Sequence, residues 1–392
     1  MSAASSTTPS LEANRVLRIL LAITGTALCY VPFQLLLRNR QYAAVVLILT
    51  ITAMNFFTIL NASIWPNDNY AAWWSGHGLC DIEVYLSAPL QTAYATSIFA
   101  IMHRLASQIK LNSVVSQESH GQSRKRLVKE SGLILAIPAF QLLFTYFDLA
   151  QRYIVGAIVG CSAVYDKSWP KAVVFDAPPA AFALASLVFA CKSLFEALLS
   201  HLTEAHIPPD IIFKRYRTIN RETSAILTTT TTNHDACQRI SRIRHRLYRM
   251  CLSILVLYVP LMLFFSIRNL RDTFNMGDSR PCSFYRMHYE ALPYPWHAIL
   301  FVPSWLVPAA TLEQPWIPIL TNFVVVTFFG TTDDARKMWL AIADNLGVMA
   351  FGTYLGRAYD GVVALVGVLR DRLRESMKPR SPYHEKFFKE EQ

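Results

Sequence analysis

The stretch HGLCD, from His77 to Asp81, holds residue types that could do acid–base or nucleophilic chemistry. Its histidine and aspartate are one residue closer together than the pair found in acyltransferases. The chain has no H-E-x-x-H zinc motif, no Gly-x-Ser-x-Gly elbow and no P-loop. Its ten histidines are scattered through the loops. We therefore expect no catalytic residue, no metal site and no cofactor, and a protein that is not an enzyme.

Cysteines offer a second chemistry, the disulfide, provided that they face an oxidising compartment. Three of the seven cysteines lie in segments that the charge count below assigns to the outer face: Cys80, Cys161 and Cys282. Three pairings are open, and each leaves one thiol unpaired. We favour Cys80–Cys161, which would pin the second outer loop over the bundle. It closes a loop of about 80 residues, worth about 4–5 kcal/mol in the chain-entropy model.

Aromatic and acidic residues collect around the same cysteine. Trp73 and Trp74 precede it, and Asp81 and Glu83 follow it. Tryptophan and tyrosine gather at membrane interfaces in any case, so an interfacial belt is one interpretation. The other is a wide, apolar and partly acidic mouth that binds a ligand. For Asp81, capping of a helix start and pairing with a loop arginine stay open beside ligand contact.

The composition indicates which elements must position these residues. Of the 392 residues, 53% are hydrophobic and 16% charged, against roughly 45–50% and about 25% in soluble proteins. Long uncharged runs alternate with short charged ones, which is typical of a polytopic membrane protein. The net charge of +10 lies in loops between apolar runs, so we expect contact with membrane lipid and no nucleic acid.

Seven segments approach the roughly 20 apolar residues that a span needs. They are Val16–Leu37, Ala43–Ile64, Cys80–Met102, Ser131–Ala150, Pro178–Ser200, Tyr248–Ile267 and Trp316–Gly330. Lipid leaves no partner for unpaired backbone groups, so each span should be a helix. The shorter, proline-containing segment His297–Pro308 is expected to be interfacial or re-entrant, with an eighth helix as the alternative. The predicted fold is an all-α membrane protein, a seven-transmembrane helix bundle.

The loop charges predict the orientation of this bundle. One alternate set of loops holds seventeen Lys and Arg residues and the other set seven, and the richer set marks the cytoplasm. The N-terminus is then outside and the C-terminus inside. We expect residues 1–15 to be a short extracellular N-terminus, 16–332 the seven-transmembrane bundle and 333–392 a cytoplasmic tail.

Several stretches, taken together, resemble the fungal a-factor-type mating-pheromone receptors, which are class D G-protein-coupled receptors. NASIWPND at Asn61–Asp68 and GLCDI at Gly78–Ile82 look like the first outer loop of that family. RLYRMCLSILVLYVP at Arg246–Pro260 resembles its proline-bearing sixth helix, with FKRYRTIN (213–220) before it. WIPILTNFVVVTFFGTTDDA at Trp316–Ala335 resembles the seventh helix.

The resemblance implies seven helices, a short peptide ligand with a C-terminal farnesyl group, and signalling through a heterotrimeric G protein. It also implies a cysteine in the second outer loop, which Cys161 matches. Leu79 departs from the tryptophan usual in the family before Cys-Asp-Ile, and this puts ligand selectivity in doubt. Thr331 and Thr332 replace a more glycine-like turn, which puts the end of the seventh helix in doubt.

On this basis the ligand-binding residues are expected at the outer mouth, with Phe301 and Trp305 as a wall or lid for the lipid. They are Trp65, Trp73, Trp74, Asp81, Glu83, Tyr165, Trp169, Trp296, Phe301 and Trp305. A lipidated peptide collects at the membrane surface first, gaining about 0.8 kcal/mol per buried CH₂, and an aromatic mouth suits it.

Arginines at the cytoplasmic face are the expected G-protein contacts. They are Arg104, Arg215, Arg217, Arg244, Arg246 and Arg249. Arg104 could instead be only a topology anchor. Pro260 should kink the sixth span, either as a tolerated membrane proline or as a hinge for its cytoplasmic half.

A polytopic membrane transporter is the alternative function. Transporters show internal repeats with matching broken helices in two halves, and we find no such symmetry in the sequence. The expected location is the plasma membrane, as a multi-pass protein. Homodimerisation stays open, because no span has a clear G-x-x-x-G face.

Overall fold

The computed structural model of the chain describes residues 9–110, 120–166, 168–205, 230–274, 283–290 and 294–345. The described helices are α1 Pro9–Leu28, α2 Tyr30–Arg38, α3 Tyr42–Ile64, α4 Leu79–Lys110, α5 His120–Asp148, α6 Trp169–Lys171, α7 Ala177–Ala205, α8 Thr230–Phe274, α9 Phe284–Tyr289, α10 Ala309–Glu313, α11 Trp316–Val325 and α12 Asp333–Asn345. The strands are β1 Leu149–Gly156, β2 Gly160–Tyr165 and β3 Ile299–Val302. Short 3₁₀ turns cover Tyr70–Ala72 and Ser304–Leu306, and π-helical turns cover Ala172–Asp176 and Val326–Gly330.

Helix ends fall where polar residues interrupt the apolar runs. At the end of α2, the backbone N–H and the side chain of Asn39 both donate to the Leu35 carbonyl, at 3.1 and 2.7 Å. Arg40 then takes a φ of 53°, the left-handed conformation that commonly ends helices. The chain can therefore turn at once into α3, whose residues are apolar on every side, as a buried or spanning helix requires.

Six helical stretches in the described part of the chain are long and apolar enough to cross a membrane. They are Ser10–Arg38, Tyr42–Ile64, Val128–Asp148, Trp169–Ser193, Arg246–Arg268 and Thr311–Gly330. The first begins six residues before the predicted start of its span. Residues 9–15, part of the segment predicted to be a short extracellular N-terminus, are helical. The last is extended at its start by α10.

The third predicted span lies in α4, which is long but not among these six stretches. It packs against α3, α5, α7 and α8, so much of its surface meets protein. Thr92, Thr96 and Ser97 on this helix are fully buried, and the Thr96 hydroxyl bonds the Ile134 carbonyl of α5 at 3.1 Å. Its lower hydropathy therefore follows from its central position.

The structure corrects the all-α prediction, because three strands form a sheet in the order β2-β1-β3. β1 is antiparallel to β2 and parallel to β3. Residues 149–165 are rich in β-branched and tyrosine residues, which favour strands, and Gly160 takes a positive φ at their turn. The fourth span accordingly ends at Asp148, before the predicted Ala150.

Part of the segment His297–Pro308, predicted to be interfacial or re-entrant, belongs to the same sheet. Residues 299–302 of this segment are β3, and Tyr153 to Gly156 of β1 pair with them in register. A 3₁₀ turn follows at Ser304–Leu306. The segment is therefore an edge of the sheet and not the eighth helix given as the alternative, because the backbone groups of residues 299–302 pair with β1.

Two compact units divide the chain, Met1–Ala335 and Arg336–Gln392. The first holds the helix bundle and the sheet. Of the second, the structure describes residues 336–345, which are helical within α12.

Candidate functional site

The sheet covers one end of the bundle, where α5 ends and α4 begins; we call this the sheet end. A disulfide joins Cys80 at the start of α4 to Cys161 of β2, with their Cα atoms 5.1 Å apart. This is the pairing favoured from the sequence. Around it lies a buried cluster that includes Trp65, Tyr153 and Val155. The segment that contains β1 and β2 is therefore held in place both by the disulfide and by packing.

The turn between β1 and β2 inserts into the bundle. Ile158 is buried against Leu11 and Ala62, and its backbone N–H donates to the Trp65 carbonyl at 2.9 Å. Beside it, the buried Asn61 side chain donates to the Val159 carbonyl at 2.8 Å. The hairpin is thus held at its tip as well as by its disulfide.

Asn61 also reaches Glu83, one of the predicted ligand contacts. Its side-chain amide donates to Glu83 Oε1 at 2.6 Å, and both side chains are buried. Sequence reasoning did not identify Asn61 as a functional residue. Its signal was a polar side chain inside an apolar run, which usually faces the bundle interior.

Asp81 makes two of the contacts that the sequence left open. It accepts two hydrogen bonds from Arg152 of β1, at 2.7 and 2.6 Å, and one from the Gly78 backbone N–H at 3.1 Å. The hydrogen bonds to Asp81 raise the pKa of Arg152 above its ordinary value. Asp81 therefore caps α4 and ties it to the sheet.

Asp68 holds the segment that follows β3 at the sheet end. Its carboxylate accepts hydrogen bonds from the Ser304 backbone N–H at 2.7 Å and from the Ser304 hydroxyl at 2.8 Å. Asp68 is buried. Nothing in the sequence pattern indicated this contact, because the two residues are 236 positions apart.

The predicted aromatic residues occupy separate places at this end. Trp65 is completely buried, donates to the Trp74 carbonyl at 2.9 Å, and lies parallel to the Trp74 ring at 6.3 Å. Trp73 meets Phe301 edge-on at 5.9 Å. Trp65 is accordingly part of the core, while Trp74 and Phe301 are exposed.

The remaining predicted aromatic residues have different packing partners and exposures. Tyr165 stacks on Phe175 at 4.3 Å, and burial raises its pKa. Trp296 donates to the Leu149 carbonyl at 3.1 Å. Trp169 and Trp305 are the most exposed, at 64% and 70%. These two tryptophans are therefore free to contact another molecule or a membrane.

At the opposite end of the bundle, Arg104 of α4 forms an ion pair with Glu130 of α5 at 3.7 Å, and both side chains are mostly buried. Arg249 is exposed and Arg246 partly so. Arg244 lies in α8, but its side chain is outside the description, and Arg215 and Arg217 lie outside the described residues.

Pro260 lies within α8, which continues on both sides of it. Two residues earlier, the buried Tyr258 meets the Tyr94 ring edge-on at 4.8 Å. The Tyr94 hydroxyl in turn hydrogen-bonds the Thr321 hydroxyl at 2.9 Å. One residue from each of α4, α8 and α11 therefore meets at this point.

An apolar cavity of about 180 Å³ opens next to this junction, between α8 and α11. Its lining includes Tyr94, Tyr258 and Thr321. None of the ten predicted ligand contacts lines it. This cavity could not be predicted from the sequence, because it forms between helices that are far apart in the chain.

Comparison with known proteins identifies the family. The family model described as STE3, Pheromone A receptor, matches residues 17–347. The pheromone a factor receptor of Saccharomyces cerevisiae is 21% identical over 346 residues, covering 88% of this chain and 65% of that protein. The pheromone M-factor receptor of Schizosaccharomyces pombe is 22% identical over 158 residues, covering 40% of this chain and 41% of its own length. The chain thus spans less than two thirds of either relative.

The family match runs from within α1 through the sheet to α12 and includes the disulfide, the contacts of Asp68 and Asp81 and the cavity. Receptors of this family are not enzymes. The chain belongs to the STE3 pheromone A receptor family.

Proposed function

We propose that this chain is a G-protein-coupled receptor for a farnesylated peptide pheromone. The ligand binds at the sheet end, and a heterotrimeric G protein binds at the opposite end. The family match over residues 17–347 carries this proposal. The two relatives support it through their names, as receptors for the a factor and the M-factor.

In this proposal α4 is the seventh span of the bundle, beside the six apolar stretches. Its 32 residues would rise about 48 Å, more than a hydrocarbon core of about 30 Å. The loop charges favour an extracellular sheet end and a cytoplasmic tail from residue 333. The receptor would lie in the plasma membrane, where an external pheromone can reach the sheet.

Exposed aromatic side chains at the sheet end support pheromone binding there. Trp74, Trp169, Phe301 and Trp305 leave apolar surface uncovered on and around the sheet. Such residues favour the headgroup region, where a farnesylated peptide also collects. Asp81, which keeps its Arg152 partner, acts mainly by holding the sheet in place.

The exposed Arg249 and its basic neighbours at the start of the apolar part of α8 support a G-protein surface. Arginine suits such a surface because its guanidinium forms paired hydrogen bonds with carboxylates. Arg104 has a structural partner in Glu130, so we assign it first to holding α4 against α5.

The test is expression in a yeast strain that lacks its own a-factor-type receptor and carries a G-protein-driven reporter. A panel of fungal pheromone peptides is added in farnesylated and unfarnesylated form. We expect a response that requires the farnesyl group. A silent reporter across the panel, with surface expression confirmed, contradicts the proposal and favours the transporter.

A variant pair tests the place of binding. Trp305→Ser removes an exposed ring next to β3, and Leu306→Ser removes a similarly exposed apolar side chain beside it. We expect Trp305→Ser to lower the potency of the farnesylated peptide and Leu306→Ser to change it little. Equal potency of wild type and Trp305→Ser, at equal surface expression, rules out the contact.

A further inference from the structure

We propose that the cavity between α8 and α11 binds the isoprenoid chain of the lipidated ligand, which enters sideways from the bilayer. This inference rests on the proposed function, because it names the site for one part of the proposed ligand. It moves the lipid-binding site away from the aromatic residues of the sheet end, where the sequence placed it.

The cavity has the chemistry of a hydrocarbon site. Its surface is almost entirely apolar, and the hydroxyls of Tyr94 and Thr321 on its lining already hydrogen-bond each other. A polar ligand would find few partners there. A hydrocarbon chain needs none, because a chain that comes from the bilayer is already out of water and gains its affinity from close packing in the cavity.

The entrance faces outward from the bundle. Leu257, Leu261 and Leu320 line the cavity and are all exposed, at 55%, 44% and 50%. All three belong to stretches apolar enough to span a membrane, so their exposed sides would meet lipid. A chain dissolved in the bilayer can therefore enter between the helices without crossing water.

The size suits part of a branched chain. The volume of about 180 Å³ exceeds that of an apolar cavity of about 150 Å³ that accepts benzene. One or two isoprene units fit inside, and the rest of the chain would lie along the exposed leucines. The proposed occupant is the ligand's isoprenoid chain. Binding of an acyl chain of the bilayer is the alternative that the experiment below detects.

Among the described residues, the one carboxylate on the lining is Glu313 of α10, the helix that lies between β3 and α11 in the chain. Trp316 lies beside it, with the fully buried Arg18 stacked over its ring at 5.7 Å. This part of the lining can therefore meet the polar part of a ligand whose chain lies deeper. A peptide joined to an isoprenoid chain has this division, with its peptide part directed towards the sheet end.

The buried side of the cavity suggests how the receptor would sense the isoprenoid chain. Tyr94, Tyr258 and Thr321 connect three helices there, and Tyr258 lies two residues before Pro260. An isoprenoid chain that pushes on this junction would shift the position of α8. Pro260 already removes one backbone hydrogen bond from that helix. The isoprenoid chain would thus act on the same helix, α8, in which Arg249 lies nearer the opposite end of the bundle.

The first experiment uses the full chain, purified into nanodiscs, and a photoreactive probe. The probe is S-farnesylcysteine methyl ester with a diazirine in its terminal isoprene unit. Leu320→Trp fills the entrance, and Leu49→Trp is the matched control, because Leu49 is equally exposed, at 53%, on α3. Peptide mapping locates the labelled residues.

We expect labelling of α8 and α11 residues that line the cavity, competed by unlabelled S-farnesylcysteine methyl ester. Labelling should fall about tenfold or more in Leu320→Trp and stay unchanged in Leu49→Trp, since a single methylene changes binding in an apolar pocket by roughly 10-fold or more. Labelling elsewhere, or equal labelling of both variants, overturns the inference. Equal competition by added phospholipid also overturns it, because the cavity would then be a general lipid groove.

The reporter strain separates this inference from the proposed function. If wild type responds to farnesylated peptide and Leu320→Trp responds with the same potency, the cavity assignment fails and the receptor assignment stands. If the probe labels the cavity but no peptide activates the reporter, the cavity assignment stands and the receptor assignment fails.

Discussion

Gly160 is the residue on which the position of the hairpin depends most directly. Its φ of +73° is one that side-chain-bearing residues adopt at a cost of about 1–2 kcal/mol. A Cβ at this position would also lie 2.2 Å from Asn61 Cγ. Asn61 cannot withdraw freely, because it bonds both Glu83 and the Val159 carbonyl.

We therefore expect Gly160→Ala to lower the melting temperature of the purified receptor, measured by a fluorescence thermal shift. Gly78→Ala is the matched control, because Gly78 has a φ of +81° but no atom within 4 Å of an added Cβ. The control carries the backbone strain without the clash. Equal shifts in the two variants would show that Asn61 makes room at little cost.

The ion pair between Asp81 and Arg152 joins the start of α4 to β1. Both side chains are about a third exposed, at 33% and 29%, so the pair should contribute no more than about 1 kcal/mol to stability. We expect Arg152→Asp, which places two carboxylates together, to destabilise the fold. The exchange Asp81→Arg with Arg152→Asp should restore part of that loss.

Restoration should be incomplete because Asp81 also accepts a hydrogen bond from Gly78, which arginine cannot do. Thermal shifts at low and high salt measure both effects, since screening weakens an exposed pair. An exchange variant no more stable than Arg152→Asp alone would mean that the cap, and not the pair, is what Asp81 contributes.

Among elements, the hairpin is attached to α4 by the disulfide, and this bond should dominate its stability. The cysteines are 81 positions apart, so removing the bond is expected to cost about 4–5 kcal/mol in the chain-entropy model. Cys80→Ala, Cys161→Ala and the double variant should lower the melting temperature by similar amounts, because each breaks the same bond.

Cys191→Ala is the control, since Cys191 is a free and exposed thiol; it should leave the melting temperature unchanged. Dithiothreitol should lower the melting temperature of wild type but not of the double variant. If the double variant loses clearly more than either single variant, the two thiols have separate roles, and the bond is not the source of the stability.

The sequence predicted the helices better than the sheet for a physical reason. A span needs about 20 apolar residues in one run, and this signal is local, so six of the seven predicted segments coincide with apolar helical stretches. β1 and β3 pair across almost 150 positions. The sequence analysis predicted neither strand: the β-branched and tyrosine residues around Tyr153 favour a strand locally, but the pairing with Ile299 depends on tertiary position.

The candidate site shows the same division between local and distant signals. The capping of α4 by Asp81 was one of the roles considered from the sequence, because an acid at a helix start has a local effect. The Asp68–Ser304 contact and the cavity beside Leu320 bring together helices and loops far apart in the chain. Trp65 was misleading for a related reason: its loop position indicated a surface residue, but the hairpin tip buries it.

For the whole molecule, the question is whether α4 crosses the membrane. Its polar side chains turn towards its neighbours, as with the Thr96 hydroxyl and the Ile134 carbonyl of α5. A helix surrounded by other helices does not need the hydropathy of one that faces lipid. The disulfide fixes its start under the sheet, and Arg104 meets Glu130 near its other end. The helix therefore reaches from one end of the bundle to the other.

If α4 crosses the membrane, the number of spans is odd, and an experiment can test this directly. Seven spans place the two termini on opposite sides of the membrane, whereas the six apolar stretches alone would place them on the same side. We expect an epitope tag at the N-terminus to bind antibody on intact cells and a tag at the C-terminus to bind only after permeabilisation. The loop charges favour this direction over its reverse. Both tags accessible from one side would mean that α4 does not span, and the sheet end and the arginine-bearing end would then need new assignments.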